Sequence, residues 1–161
     1  MADAPAIPGQ INRLYISATP YAEDADSAAI LTAHGTGFVR ADNILSDVKK
    51  GDSRATADRK ERGRDFVIKF AGGRSIVVSG KITKRPGNSA YDIFETAYLG
   101  NVQIAVALAT GDIATTGTKS LCFNAILTKW DEDQPDPGAT THDIEFAPGQ
   151  SAVNPTVVTK S

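Results

Sequence analysis

The sequence predicts a mainly β chain: an antiparallel β-sandwich or barrel with one flanking α-helix over about residues 88–99, a long loop at 49–65 and extended termini. Two observations carry this. Short runs of alternating apolar and polar residues recur along the 161 residues, punctuated by 14 glycines and 8 prolines, which favours many short strands over a helical bundle. Only one stretch repeats its apolar residues at helical spacing, and it stands between runs of strands rather than alternating with them, which argues against a βαβ series. With 41% hydrophobic and 22% charged residues the chain has the mix of a soluble globular protein. We expect one domain across 1–161, with an N-terminal arm at 1–10 and a C-terminal arm at 149–161.

Each element has its own warrant. "RLYISA" (13–18) sets Leu14 and Ile16 against Tyr15 and reads as a first strand. Residues 19–35 suit either a short helix or a long loop, because Pro20 and Gly35 frame both. "TGFVRA" (36–41) and "NILSDVKK" (43–50) read as strands. "DFVIKF" (65–70) places Phe66, Ile68 and Phe70 on one face, and "RSIVVSGKI" (74–82) follows after Gly72-Gly73, which predicts a hairpin turning at the two glycines. In "RPGNSAYDIFETAYLG" (85–100), Asn88 or Ser89 can cap the helix and Asp92 lies near its positive end. Tyr91, Phe94, Ala97 and Tyr98 form its apolar face, and Gly100 is placed to end it. "VQIAVALAT" (102–110) carries Val102, Ile104, Val106 and Leu108 on one face and the small-sided Gln103, Ala105, Ala107 and Ala109 on the other. "KSLCFNAILTKW" (119–130) is a long strand, 131–141 an acidic, proline-rich loop, and "HDIEFAP" (142–148) a strand with Ile144 and Phe146 inward. "TVV" near the end suits a short strand.

Charge is segregated along the chain. Residues 1–48 hold two Lys/Arg and six Asp/Glu, residues 49–100 twelve and six, and residues 101–161 three and seven, which sums to the net −2. Opposite signs on different faces would suit head-to-tail assembly. The basic excess centres on "KKGDSRATADRKERGRD" (49–65). Its seven Lys/Arg could contact phosphates, but Asp52, Asp58, Glu61 and Asp65 are interleaved and no aromatic residue is present to stack on bases. Mixed signs suit a solvated face or a complementary protein surface better than DNA.

Little in the sequence points to catalysis, and no cofactor is expected. His34 and His142 are far apart without metal-ligand spacing, and each reads as a surface or loop histidine. No nucleophile elbow or phosphate loop occurs. Asp131, Asp133 and Asp136 miss the calcium-loop spacing and read as a solvated turn after Trp130. Cys122 lies in the apolar run "LCFNAIL" and reads as a core residue. No secretory leader or membrane-length apolar run is visible, so we expect synthesis and retention in the cytoplasm until the chain joins something larger.

The order of elements resembles a known family. A charged Ser/Thr/Arg-rich segment ("GDSRATADRKERGRDF") precedes "FVIKFAGGRSIVVSGKI", a helix ("NSAYDIFETAYLGN"), "VQIAVALATGDIATTGTKSLCFNAILTKWDEDQP" and "HDIEFAPG". Over about residues 36–150 this is similar to the tail tube, or major tail, proteins of long-tailed bacteriophages. The resemblance implies a sandwich or barrel with one helix, assembled as six-membered rings that stack into a tube in the virion tail. DNA would pass through its lumen without specific binding. It implies contacts with other tail proteins (tape measure, terminator, tail tip), no membrane and no enzymatic activity. By matching order, the 49–65 segment corresponds to the loop used between stacked rings. Arg54, Arg59, Lys60, Arg62 and Arg64 are then contact candidates, and Asp131, Glu132, Asp133 and Asp136 a candidate acidic partner patch. Two alternatives stay open. One is the inner tube of a contractile injection or type VI secretion apparatus, the other a stand-alone β-sandwich binding module with Trp130 and the tyrosines as its aromatics.

Overall fold

The computed structural model describes residues 13–60, 63, 67–134, 137–149 and 155–161. The expected arm at 1–10 lies outside them. Among the described residues the order is β1 (Arg13–Ser17), α1 (Ser27–Ala33), β2 (Val39–Arg40), β3 (Leu45–Lys60), β4 (Val67–Thr83), α2 (Ser89–Gly100), β5 (Ile104–Ala109), β6 (Lys119–Asp133), β7 (Thr141–Pro148) and β8 (Thr156–Thr159). All strands pair antiparallel in one curled sheet of order β2-β1-β5-β6-β7-β4-β3, with β8 also on β6.

β6 is the hub. Residues 120–125 pair with β5 along one edge, while the other edge takes β8 at 119–122 and then β7 at 125–133. Alternation along the strands then sorts side chains into two cores. Leu14, Ile16, Ile104, Val106, Leu121, Phe123, Ile144 and Phe146 face α2. Tyr15, Ala105, Ala107, Ala109 and Cys122 face the other way and are buried as well.

α2 closes the first core. Asn88 caps it, its Oδ1 accepting from Ala90 N at 3.1 Å and Tyr91 N at 3.3 Å. Tyr91, Phe94 and Ala97 are buried, and Phe94 packs on Phe146 with ring centroids 6.0 Å apart. The helix ends at Asn101 rather than Gly100: Asn101 is left-handed (φ 50°), and Val102 N returns to Ala97 O at 3.0 Å. Tyr98, expected on the apolar face, stacks on Trp130 but stays 40% exposed.

The second core explains residues 19–38. Asp26 caps the seven-residue α1, and Ile30, Tyr21 and Phe38 lie over the alanine face of β5. Small side chains there let this covering segment approach closely. Asn124 fixes its path: its Oδ1 accepts from Tyr21 N at 2.7 Å and its Nδ2 donates to Tyr21 O at 3.0 Å, so one buried side chain satisfies both backbone groups. The strand expected over 36–41 shrinks to Val39–Arg40, because Gly37 takes φ 75° just before it.

The strand-rich centre corrects two further expectations. Gly72-Gly73 is not a turn, since β4 runs through it without interruption. Residues 131–133 continue β6 instead of opening a loop, because β7 pairs with them as far as Thr141.

Candidate assembly interface

The predicted loop at 49–65 is largely strand. β3 and β4 are 16 and 17 residues long, yet β7 accompanies β4 only over Val78–Thr83. Past Gly51 and Val77 the two strands run on alone to Lys60 and Val67. At about 3.3 Å per residue this ribbon reaches roughly 30 Å beyond the body. Every described side chain from Val48 to Lys60 and from Lys69 to Ser75 is exposed. With neither face buried, the segment carries no apolar alternation. What makes it strand is the backbone ladder, from Arg54 opposite Arg74 out to Lys60 opposite Val67. Gly63, at the end of the ribbon, has φ 86°.

Gly72 and Gly73 form a bulge. Thr56 pairs with Ala71 and Arg54 with Arg74, so Ala55 faces two residues. A Cβ on Gly72 would lie 3.1 Å from Ala55 O, which explains a residue without one. A bulge bends the strand and sharpens its twist, so the outer half of the ribbon is re-aimed relative to the sheet.

The contact candidates separate in space. Arg54, Arg59 and Lys60 lie on the ribbon, exposed and without a carboxylate partner among the described residues. Arg62 and Arg64 lie outside the described residues. The ribbon's two aspartates among the described residues are engaged internally: Asp58 faces Lys69 at 3.7 Å, and Asp52 accepts from Arg74 Nε at 2.8 Å. The Arg74 hydrogen bonds hold the Asp52 carboxyl below the usual range. Sequence reading missed two further ribbon residues. Val67 is 49% exposed, and Phe70, expected to share one face with Phe66 and Ile68, is 47% exposed.

The acidic patch sits elsewhere, on the paired ends of β6 and β7. Lysines of the same subunit already answer most of it. Lys129 reaches Asp131 at 3.5 Å, Lys84 reaches Glu132 at 3.2 Å and Lys81 reaches Asp143 at 3.8 Å. Gln134 and Lys84 together lower the Glu132 carboxyl. Asp136 lies outside the described residues. Beside this patch, Lys49, Lys81, Lys129, Asp131, Asp143 and Glu145 share the uncovered outer face of β3, β4, β7 and β6.

Both histidines were expected at the surface or in loops; His142 instead holds an interior position, while His34 is half-buried in the turn that follows α1. His142 is buried between Trp130, at a centroid distance of 4.3 Å, and Tyr91, whose hydroxyl lies 3.2 Å from Nε2. It sits inside because β7 pairs on both edges there, with β6 and β4. His34 Nε2 lies 2.8 Å from the Tyr21 hydroxyl and 3.5 Å from Cys122 Sγ. Burial and Lys160 push His34 down to about 4, and burial pushes the Cys122 thiol up to about 11. Burial also raises the Tyr21 phenol. At neutral pH all three are uncharged, so the trio is a hydrogen-bonded chain without a thiolate nucleophile. Among the described residues no cluster of three potential metal-ligating side chains occurs.

The sequence matches no protein-family model and no curated protein. Solved structures do match its fold. A chain of the tail of an empty gene transfer agent particle, refined with C6 symmetry, superposes with a TM-score of 0.66 at 12% identity, covering 97% of this chain and all of that one. This is the tail-tube fold. The SPP1 tail tube subunit shares it at a TM-score of 0.65 and 14% identity, over 88% of this chain and 75% of the other. So does a chain of the sheath–tube complex of an extracellular contractile injection system, at 0.52 and 12% identity, over 97% and 92%. Among the described residues, the long ribbon and the exposed end of α2 are two surfaces that the subunit itself leaves unpartnered.

Proposed function

We propose that this chain is the structural subunit of a phage-type tail tube. Six copies close a ring, and rings stack into a hollow tube in the virion tail that conducts DNA. The observation that carries this reading is the end-to-end match to a chain of a six-fold tail, 97% of one chain on 100% of the other. The ribbon supports it. A two-stranded hairpin without a packed face is marginal in water, and exposed strand edges invite pairing with another chain. A subunit carrying a 30 Å ribbon of that kind gains order when a second copy covers it.

In this reading the chain is one domain, assembled in the host cytoplasm, with tape measure, terminator and tail-tip proteins as partners and no catalytic role. The uncovered face of β3, β4, β7 and β6 is our candidate lumen lining. Its Lys49, Lys81 and Lys129 stand among Asp131, Asp143 and Glu145, and two of these lysines are already paired, Lys81 with Asp143 and Lys129 with Asp131, which weakens their pull on a passing polyanion. The contractile alternative rests on the 0.52 match to a sheath–tube complex, against 0.66 for the gene transfer agent tail. A sheath gene beside this one would favour it.

Excision of the ribbon tests the proposal. Both strands must go, because removing 52–62 alone would strip β4 of its partner. Ser53 and Ser75 are in register, so joining them through Asn-Gly replaces 54–74 with a two-residue hairpin turn. The wild type should form rings or tubes in electron micrographs. The excised protein should keep its melting temperature and stay unassembled. Normal tubes from the excised protein, or a strictly monomeric wild type at high concentration, would refute the reading.

A further inference from the structure

The ribbon needs a receiving surface, and the acidic patch on β6 and β7 is a poor one because its own lysines neutralise it. Another surface is both acidic and apolar. α2 carries Asp92 and Glu95 and no Lys or Arg. Neither carboxylate has a cationic partner among the described residues, and Asp92 accepts only from Gly87 N at its own helix start. Asp92, Glu95 and Leu99 follow at three and four residues, so they share one stripe. At its C-terminal end Leu99 is 72% exposed, with Val102 at 48% and Tyr98 at 40% beside it.

The ribbon has the opposite charge and the same apolar character. Its described outer part, 52–60 and 67–74, holds five Lys/Arg against Asp52 and Asp58, both already paired. Val67 and Phe70 stand half exposed near its tip. Of the seven large hydrophobic side chains exposed among the described residues, three belong to the ribbon and its base (Val48, Val67, Phe70) and three to the end of α2. Arg59 and Phe70 lie on one face of the ribbon, diagonally across two successive same-face rungs of the ladder, Ala57–Phe70 and Arg59–Ile68. Such a cross-strand diagonal spans about 7–8 Å, somewhat less between Cβ atoms, against about 5–6 Å for Glu95 and Leu99 one helical turn apart.

We propose that the ribbon of one subunit docks on the exposed stripe of α2 of a second copy, Phe70 against Leu99 and Tyr98, and Arg59 against Glu95. The contact is heterologous, ribbon to helix, so each copy offers one donor and one acceptor surface and the chain of contacts propagates. It rests on the assembly reading above and adds the identity of the acceptor surface.

Cysteine cross-linking in assembled protein tests it. Phe70→Cys and Leu99→Cys are combined in one chain. The native Cys122 is fully buried and stays out of the reaction. Mild oxidation of tubes should give a ladder of covalent oligomers on a non-reducing gel, and neither single variant should give one. Tubes of normal appearance that run as monomers would overturn the proposal while leaving the assembly reading intact. So would a ladder obtained from Phe70→Cys with Asp131→Cys instead. If the double variant does not assemble, charge exchange replaces it. Glu95→Arg and Arg59→Glu should each lower tube yield at least tenfold, and the two together should restore it. Absence of that rescue also overturns the proposal. A wild type that forms neither rings nor tubes fails the assembly reading first, and this inference with it.

Discussion

Replacing Phe70 by serine isolates the ribbon's contribution to assembly from its effect on the fold. Phe70 is 47% exposed, so about half its side chain is free to be buried by a neighbour. An aromatic side chain offers roughly 150–250 Å², which leaves about 100 Å² for the interface. At about 25 cal/mol per Å² this contributes about 2.5 kcal/mol per subunit, or roughly 70-fold in an equilibrium constant. In a six-membered ring the effect repeats at every ribbon, for about 15 kcal/mol per ring junction as an upper figure. The isolated subunit loses almost nothing, because exposed substitutions of this kind stay within about 0.5 kcal/mol. Sedimentation of polymer across a concentration series reads the outcome. The critical concentration of Phe70→Ser should rise between 10-fold and 70-fold while the melting temperature of unassembled protein stays put. A critical concentration within twofold of wild type would show that Phe70 is not at the interface.

Two further predictions concern the body. Asn124→Ala leaves the backbone N–H and C=O of Tyr21 unsatisfied in a buried site, at about 1–3 kcal/mol each. The two together, about 2–6 kcal/mol, should lower the melting temperature by roughly 4–24 °C, and a fall below 2 °C would mean that another group or water takes the place of the amide. His34 contributes pH dependence. Its folded value near 4 lies below the ordinary 6.5, so the unfolded chain binds the proton more readily, and stability falls as pH drops from about 6.5 through 4. The loss is at most about 3 kcal/mol, less for the ring's partial exposure. His34→Gln should flatten the dependence of the urea midpoint between pH 7 and pH 4. Parallel curves for the two proteins would exclude His34 as the source.

How much of this was legible in the sequence follows from which faces are buried. β1, β5, β7 and the first half of β6 announce themselves because a packed face enforces alternation. Asn88 and the Tyr91–Phe94–Ala97 spacing announce α2 for the same reason. The alanine face of β5 could be read as close-packing, but its cover could not be identified. α1 is only seven residues long, and much of its grip comes from the distant Asn124 amide. The 49–60 strand of the ribbon was read as loop because charge and serine signal loop wherever no face is buried, although the backbone ladder ignores side-chain type. Gly72-Gly73 carried the same ambiguity, since glycine pairs serve turns and bulges alike, and only the partner strand distinguishes them. The basic contact candidates were read as one segment, and the described ones, Arg54, Arg59 and Lys60, lie on the ribbon. Their apolar companions Val67 and Phe70 were not singled out, because alternation alone does not say which face of a strand is buried. The comparisons bear out the resemblance at the level of fold.

The bulge opposite Ala55 gives the ribbon a property that affinity does not describe. From Thr56 to Lys60 the outer segment is about 17 Å long, so a 10° change of angle at Gly72-Gly73 swings its end by about 3 Å. The two glycines thus act as the fulcrum of a lever, and the residue count there sets direction rather than strength. Inserting or deleting one residue would turn the far side chains to the opposite face while leaving the body and its two cores as they are. In a polymer built through that lever, a local change at the fulcrum would be expressed as a different rotation from one layer to the next.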